Sequence, residues 1–150
     1  MRPRWPVRRR GDEGSAVVEF VALGVLLLVP VVYLVISVGR VQAGVFAAEG
    51  AAREAARTFT AADDEQTGMA VAAAAVRLAA LDQGFADVVP ERALLVDCEA
   101  DPCHQSEARV TVRVEVDVVL PGVPAFVNAA VPTRIPVRAS AVAIVDRFRG

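Results

Sequence analysis

At 150 residues and 55% hydrophobic content, with 16 arginines, no lysine and a formal net charge of −2, the chain holds one small domain beyond any membrane segment. Arg2, Arg4, Arg8, Arg9 and Arg10 stand against Asp12 and Glu13 in the first 14 residues, a net +3, so the remainder sums to −5 and offers no basic surface for nucleic acid. The eight aromatic residues are scattered, which also argues against a base-stacking platform.

The first informative segment is Gly14-Ser15-Ala16-Val17-Val18-Glu19-Phe20, a small-residue junction followed by one carboxylate at the head of an apolar run that carries no further charge to Gly39. Phe20–Gly39 is 20 residues, and as a helix it would span about 30 Å, the hydrocarbon thickness of a bilayer. A secretory signal has a shorter apolar region, although Val41-Gln42-Ala43 would pass as its cleavage site and would release a soluble domain. The arginines before the run outnumber Arg40, Arg53 and Arg57 after it, so the positive-inside rule keeps the N-terminus in the cytoplasm and places the C-terminal part outside. Pro30 removes one backbone hydrogen bond mid-span and is expected to kink the helix, which membrane helices tolerate.

An ionised side chain costs about 3 kcal/mol at the middle of a bilayer and less near its surface. Glu19 therefore asks for a partner; the alternative is an interfacial carboxylate favoured by the dipole of a helix N-terminus. The resulting organisation is a charged N-terminal segment at 1–14, read below as a leader from a family resemblance, a membrane helix at 15–39 and an extracytoplasmic domain at 40–150.

Helical periodicity continues through Val41–Phe59, giving one helix of about 45 residues. Val41, Val45, Ala48, Ala52, Ala55 and Phe59 make one face, and Glu49, Arg53 and Arg57 another, with Glu49 placed to pair with Arg53 one turn on. This charge row reads as a solvated face on a supporting helix. A sharper reading makes the small residues Ala47, Ala48, Ala51, Ala52, Ala55 and Ala56 a contact surface for neighbouring subunits. Asp63 or Asp64 then caps a second helix with an apolar stripe of Val71, Ala74, Ala75, Leu78 and Leu81, ended by Gly84.

After Gly84 the period falls to two. Ala108–Val118 alternates apolar even positions with Arg109, Thr111, Arg113, Glu115 and Asp117, a strand with one wet face. Ala93–Cys98 and Arg134–Val145 are further strands, Val142 and Ile144 blurring the outer face of the last. Pro121-Gly122 stops the middle strand, and the apolar connection to Pro132 is expected to hold a short helix. The fold class is α+β: a long membrane helix continuing into an amphipathic helix, a short second helix and an antiparallel sheet of about three strands.

The junction GDEGSAVVEF, the Pro-bearing membrane helix, AAREAAR at Ala51–Arg57 and the late strands together resemble the TadE-like family of minor pseudopilins from tight-adherence (Flp-type) pilus systems. The resemblance covers nearly the whole chain. It implies cleavage between Gly14 and Ser15 by a prepilin peptidase, with Glu19 and Phe20 as the processing and assembly motif five and six residues into the mature chain. It also implies an inner-membrane assembly platform and other pilins or pseudopilins as partners, in pilus biogenesis.

Cys98 and Cys103 are the only cysteines. On the extracytoplasmic side they are expected to form a disulfide, worth about 2 kcal/mol by loop closure. A metal site would need a ligand beyond two thiolates and His104, and a Cys–His nucleophile would need an orienting third group. His104 then reads as an ordinary exposed loop residue. With one His, no phosphate-binding loop and carboxylates spread over solvated faces, no enzyme activity, cofactor or small-molecule substrate is expected. The function classes are a pseudopilin and a single-pass anchored binding protein that is not processed.

Overall fold

The computed structural model describes residues 12–123 and 133–146, with side chains from Ser15 onward. Most of the leader and the connection expected to hold a short helix lie outside the described residues. The elements are α1 (Asp12–Ala61), α2 (Glu65–Asp82), α3 (Pro90–Ala93), β1 (Leu94–Cys98), β2 (Arg109–Val119) and β3 (Arg134–Ile144), an α+β arrangement. α1 is a single helix of 50 residues that runs through Pro30. The chain divides after Ile36 into two units.

In the first unit every side chain from Ser15 to Ile36 is exposed. An isolated helix gains nothing in water from such a surface, because the apolar area that would stabilise it is left wet. This stretch belongs to the one helix among the described residues that is long and apolar enough to cross a membrane.

The second unit begins at Ser37. Its sheet has the order β1-β2-β3, antiparallel throughout, with Leu94 opposite Val114 in the first pair and Val114 opposite Ala139 in the second. Val110, Val112, Val114, Val116 and Val118 are all buried to 1% exposure or less, so the alternation of β2 sends its even positions into the core. The odd positions form a wet face, where Glu115 and Arg138 stand directly opposite and pair at 2.6 Å. α1 covers the core face with Ala47, Ala48, Ala51, Ala52, Ala55, Ala56 and Phe59, none more than 2% exposed. Glu49 and Arg53 pair at 3.4 Å on its outer side, as their spacing demands.

Three expectations are corrected here. Val45 turns outward, and Gly44 takes the core position; a Cβ at 44 would overlap the Cγ2 of Val118, so the absence of a side chain lets α1 lie close on β2. The alanines of α1 consequently serve the chain's own core and are not an open surface for neighbouring subunits. In α2 the buried residues are Gly68, Ala72, Val76 and Ala80, while Val71 and Leu78 are 39% and 63% exposed. Both stripes satisfy a helical period; the smaller one wins because α2 approaches α1 closely, with a Cβ at Gly68 lying 3.1 Å from the Phe59 carbonyl oxygen.

The ends of α2 are set locally. Asp64 is the N-cap, its Oδ1 accepting the Thr67 N–H at 2.9 Å and its Oδ2 the Thr67 hydroxyl at 2.8 Å. At the other end Gly84 has φ +76°, its N–H donates to Leu81 and the Phe85 N–H to Ala80, which closes the helix and turns Phe85 into the core.

Candidate functional site

The residues expected to carry processing and assembly sit at the head of α1. The backbone of Gly14 and Ser15 lies within the helix, and Ser15, Glu19 and Phe20 have exposed side chains. Ser15 and Glu19 are one helical turn apart and share a face. Among the described residues Glu19 has no ion-pair partner. Phe20, 77% exposed, opens the uninterrupted apolar surface.

Arg40, the first charge after the apolar run, was not singled out by its sequence context. In the second unit its guanidinium lies 4.3 Å from the Phe85 ring centroid and donates through Nη2 to the Gly84 carbonyl at 2.9 Å. The turn that ends α2 thereby holds the side chain that follows the membrane segment. Arg40, Arg92 and Arg134 line a cleft of about 430 Å³ together with Asp87, Glu115 and Asp117, so its charges balance.

Cys98 and Cys103 are bridged, with their Cα atoms 5.4 Å apart. Both thiols are consumed, which removes the thiolate that a metal site or a Cys–His nucleophile would need. Among the described residues no group of three His, Cys, Asp or Glu side chains could hold a metal ion.

His104 is not an exposed loop residue. It is half-buried, its ring centroid 4.9 Å from that of Phe59 and its Nε2 3.0 Å from the Phe59 carbonyl oxygen. Because a carbonyl only accepts, Nε2 carries the proton and donates; Nδ1 is buried without a partner among the described residues. The bridge ties Cys103 to the end of β1 and so delivers the next residue to the last turns of α1. Sequence spacing alone held no sign of this contact, which joins residues 45 positions apart.

No protein-family model, curated protein or solved structure matches the chain.

Proposed function

We propose that this chain is a minor pseudopilin-like membrane protein that acts in the biogenesis or assembly of a Tad/Flp-type pilus and is cut by a prepilin peptidase after Gly14. The observation that carries the reading is the head of α1: from Ser15 to Ile36 every side chain is exposed, and all are uncharged but Glu19. Lipid is the solvent that such a surface fits, and one carboxylate near its start is the feature that lipid alone does not favour. The N-terminus is cytoplasmic and the sheet domain extracytoplasmic in this reading, in accord with the arginine bias and with a disulfide in an oxidising compartment.

Removal of the leader would free an amine at Ser15. Glu19 of a neighbouring subunit would then meet it, so that two charges costly in lipid neutralise each other and fix the axial register. Partners in this reading are the peptidase, the inner-membrane assembly platform and other pilins or pseudopilins. Intact-mass measurement of membrane-purified protein tests it: a chain beginning at Ser15 is the expected result, and a chain retaining residues 8–14 rejects processing and leaves a single-pass anchored binding protein. Release after Ala43 is disfavoured by packing, since it would remove Val41 and Ala43 from the core and Arg40 from Phe85.

A further inference from the structure

The sheet has two edges, and their backbone groups can be assigned. At the ends of the β2–β3 ladder, the Val145 N–H donates to Ala108 at 3.0 Å and the Leu120 N–H to Thr133 at 3.1 Å. Bonded residues alternate in an antiparallel pair, so β3 turns its odd positions to β2 and the N–H and C=O of Arg138, Ser140, Val142 and Ile144 to the open side. Pro136 obeys the same parity, its missing N–H falling where no ladder bond is lost. At the other edge the Glu99 N–H donates to Arg109 at 3.0 Å, so β1 turns Val96 and Cys98 outward.

These two edges are complementary. The outward-bonding residues of β3 lie on the wet face of the sheet, and those of β1 lie on its core face. A parallel pair demands that offset, because a residue that bonds through both its groups stands opposite one that does not bond, and its partners are the neighbours of that residue. The segment Ala139–Ile144 carries no charge and no proline to protect the edge. Val142 and Ile144 are 58% and 62% exposed, while Ala139, Ala141 and Ala143 are partly buried against the core.

The simpler alternative of two β3 edges pairing antiparallel would leave both β1 edges open. Within the domain Gly44 lies against Val118 near the end of β2, and Phe59 lies against His104 ahead of its start. α1 therefore runs opposite to β2 and in the direction of β1 and β3. Parallel docking gives the domain part of α1 one direction in successive copies, whereas a two-fold axis through paired β3 edges would oppose them. We propose that β3 of one copy docks in parallel on β1 of the next, with Val142 beside Leu95 of the second copy. In that register the Val96 N–H of the second copy meets the Val142 carbonyl, and its carbonyl meets the Ile144 N–H. Leu95 is itself 56% exposed on the wet face, so the contact covers apolar surface from both copies.

The contact is heterologous and leaves a free β3 and a free β1 at the two ends, so it extends as a row of copies. So short a parallel pair is weak alone; confinement to one membrane raises the effective concentration at which it forms. This confinement rests on the membrane-anchored reading above.

The test is oxidative crosslinking in membranes with the native bridge intact. The double variant Leu95→Cys/Val142→Cys is expected to give a ladder of dimers, trimers and higher species, and co-expressed single variants a dimer. Either single variant alone should give no more than wild type. Ile144→Pro, which removes the edge donor that meets the Val96 carbonyl at a position of the same parity as Pro136, should weaken the ladder while leaving the circular dichroism spectrum unchanged. No ladder from the double variant, an undiminished ladder with Ile144→Pro, or dimers from Val142→Cys alone would each overturn the proposal. The mass of the same samples reports cleavage at Gly14, so failure of processing and failure of docking are read separately.

Discussion

The imidazole of His104 donates through Nε2 to the main-chain carbonyl of Phe59 at 3.0 Å and lies against the Phe59 ring at a tilt of 37°, pinning the loop between β1 and β2 to the end of α1. His104→Ala should cost about 1–2 kcal/mol, the range for a partly buried hydrogen bond together with lost ring packing. Replacing both cysteines by serine should cost about 2 kcal/mol by loop closure. The two changes should combine to less than their sum, because the bridge acts in part by placing His104. Thermal unfolding of the full chain in detergent measures all three; strict additivity would show that bridge and histidine act independently. Thiol labelling of unreduced protein should find neither cysteine free.

Gly44 and Gly50 lie on the same helix and should respond oppositely to alanine. At 44 the new methyl group meets Val118 of the central strand, so Gly44→Ala should destabilise by about 1–3 kcal/mol through overpacking. At 50 nothing lies within 4 Å of the added Cβ, and Gly50→Ala should stabilise by up to about 1 kcal/mol from helix propensity. Equal melting temperatures for the two variants would contradict the close approach of α1 to β2.

The cap of α2 predicts a pH dependence. The backbone N–H of Thr67, and next its hydroxyl, hold the Asp64 carboxyl below the usual carboxylate range. A depressed acid contributes its stabilisation in full above the unfolded value and loses it as pH falls through the folded value. The melting temperature of wild type should therefore fall more steeply than that of Asp64→Ala on acidification below about pH 4. At neutral pH Asp64→Ala should already melt lower, and Asp64→Asn should lie between them. Parallel pH profiles for wild type and Asp64→Ala would exclude the cap as the titrating group.

At the head of α1, Gly14→Val should block maturation while membrane insertion survives, since a site that accepts only hydrogen on the residue before the cut rejects a β-branched one. Glu19→Ala should leave cleavage and insertion intact, removal of a carboxylate lowering the cost of transfer into lipid. It should impair incorporation into an assembly, because the Ser15 amine would lose its countercharge. Glu19→Asp should be intermediate. Crosslinking of mature protein to other pilins reads the difference; wild-type crosslinking by Glu19→Ala would leave the carboxylate as an interfacial anchor only.

Helices α1 and α2 and the three strands were legible in the sequence in their order, whereas the four-residue α3 was not, and it takes Ala93 from the expected first strand. An apolar run of membrane length, a helical period unbroken to Phe59, Asp64 before α2, Gly84 after it and the strict alternation of β2 are local signals, and each acts through neighbours within a few residues. The lone carboxylate at Glu19 and the paired cysteines were equally legible, because a charge entering an apolar run and two thiols in a short loop stand out without any fold. Tertiary structure decided which of two admissible stripes of α2 is buried, since Ala72, Val76 and Ala80 suit a close helix contact that Val71 and Leu78 would prop open. It also turned Gly44 and the α1 alanines inward and brought His104 to Phe59 and Arg40 to Phe85. Those contacts span some 45 positions of chain, and nothing local in either partner encodes them; they exist because α1, α2 and the sheet close on one core, which fixes their separation and hence which side chains fit between them.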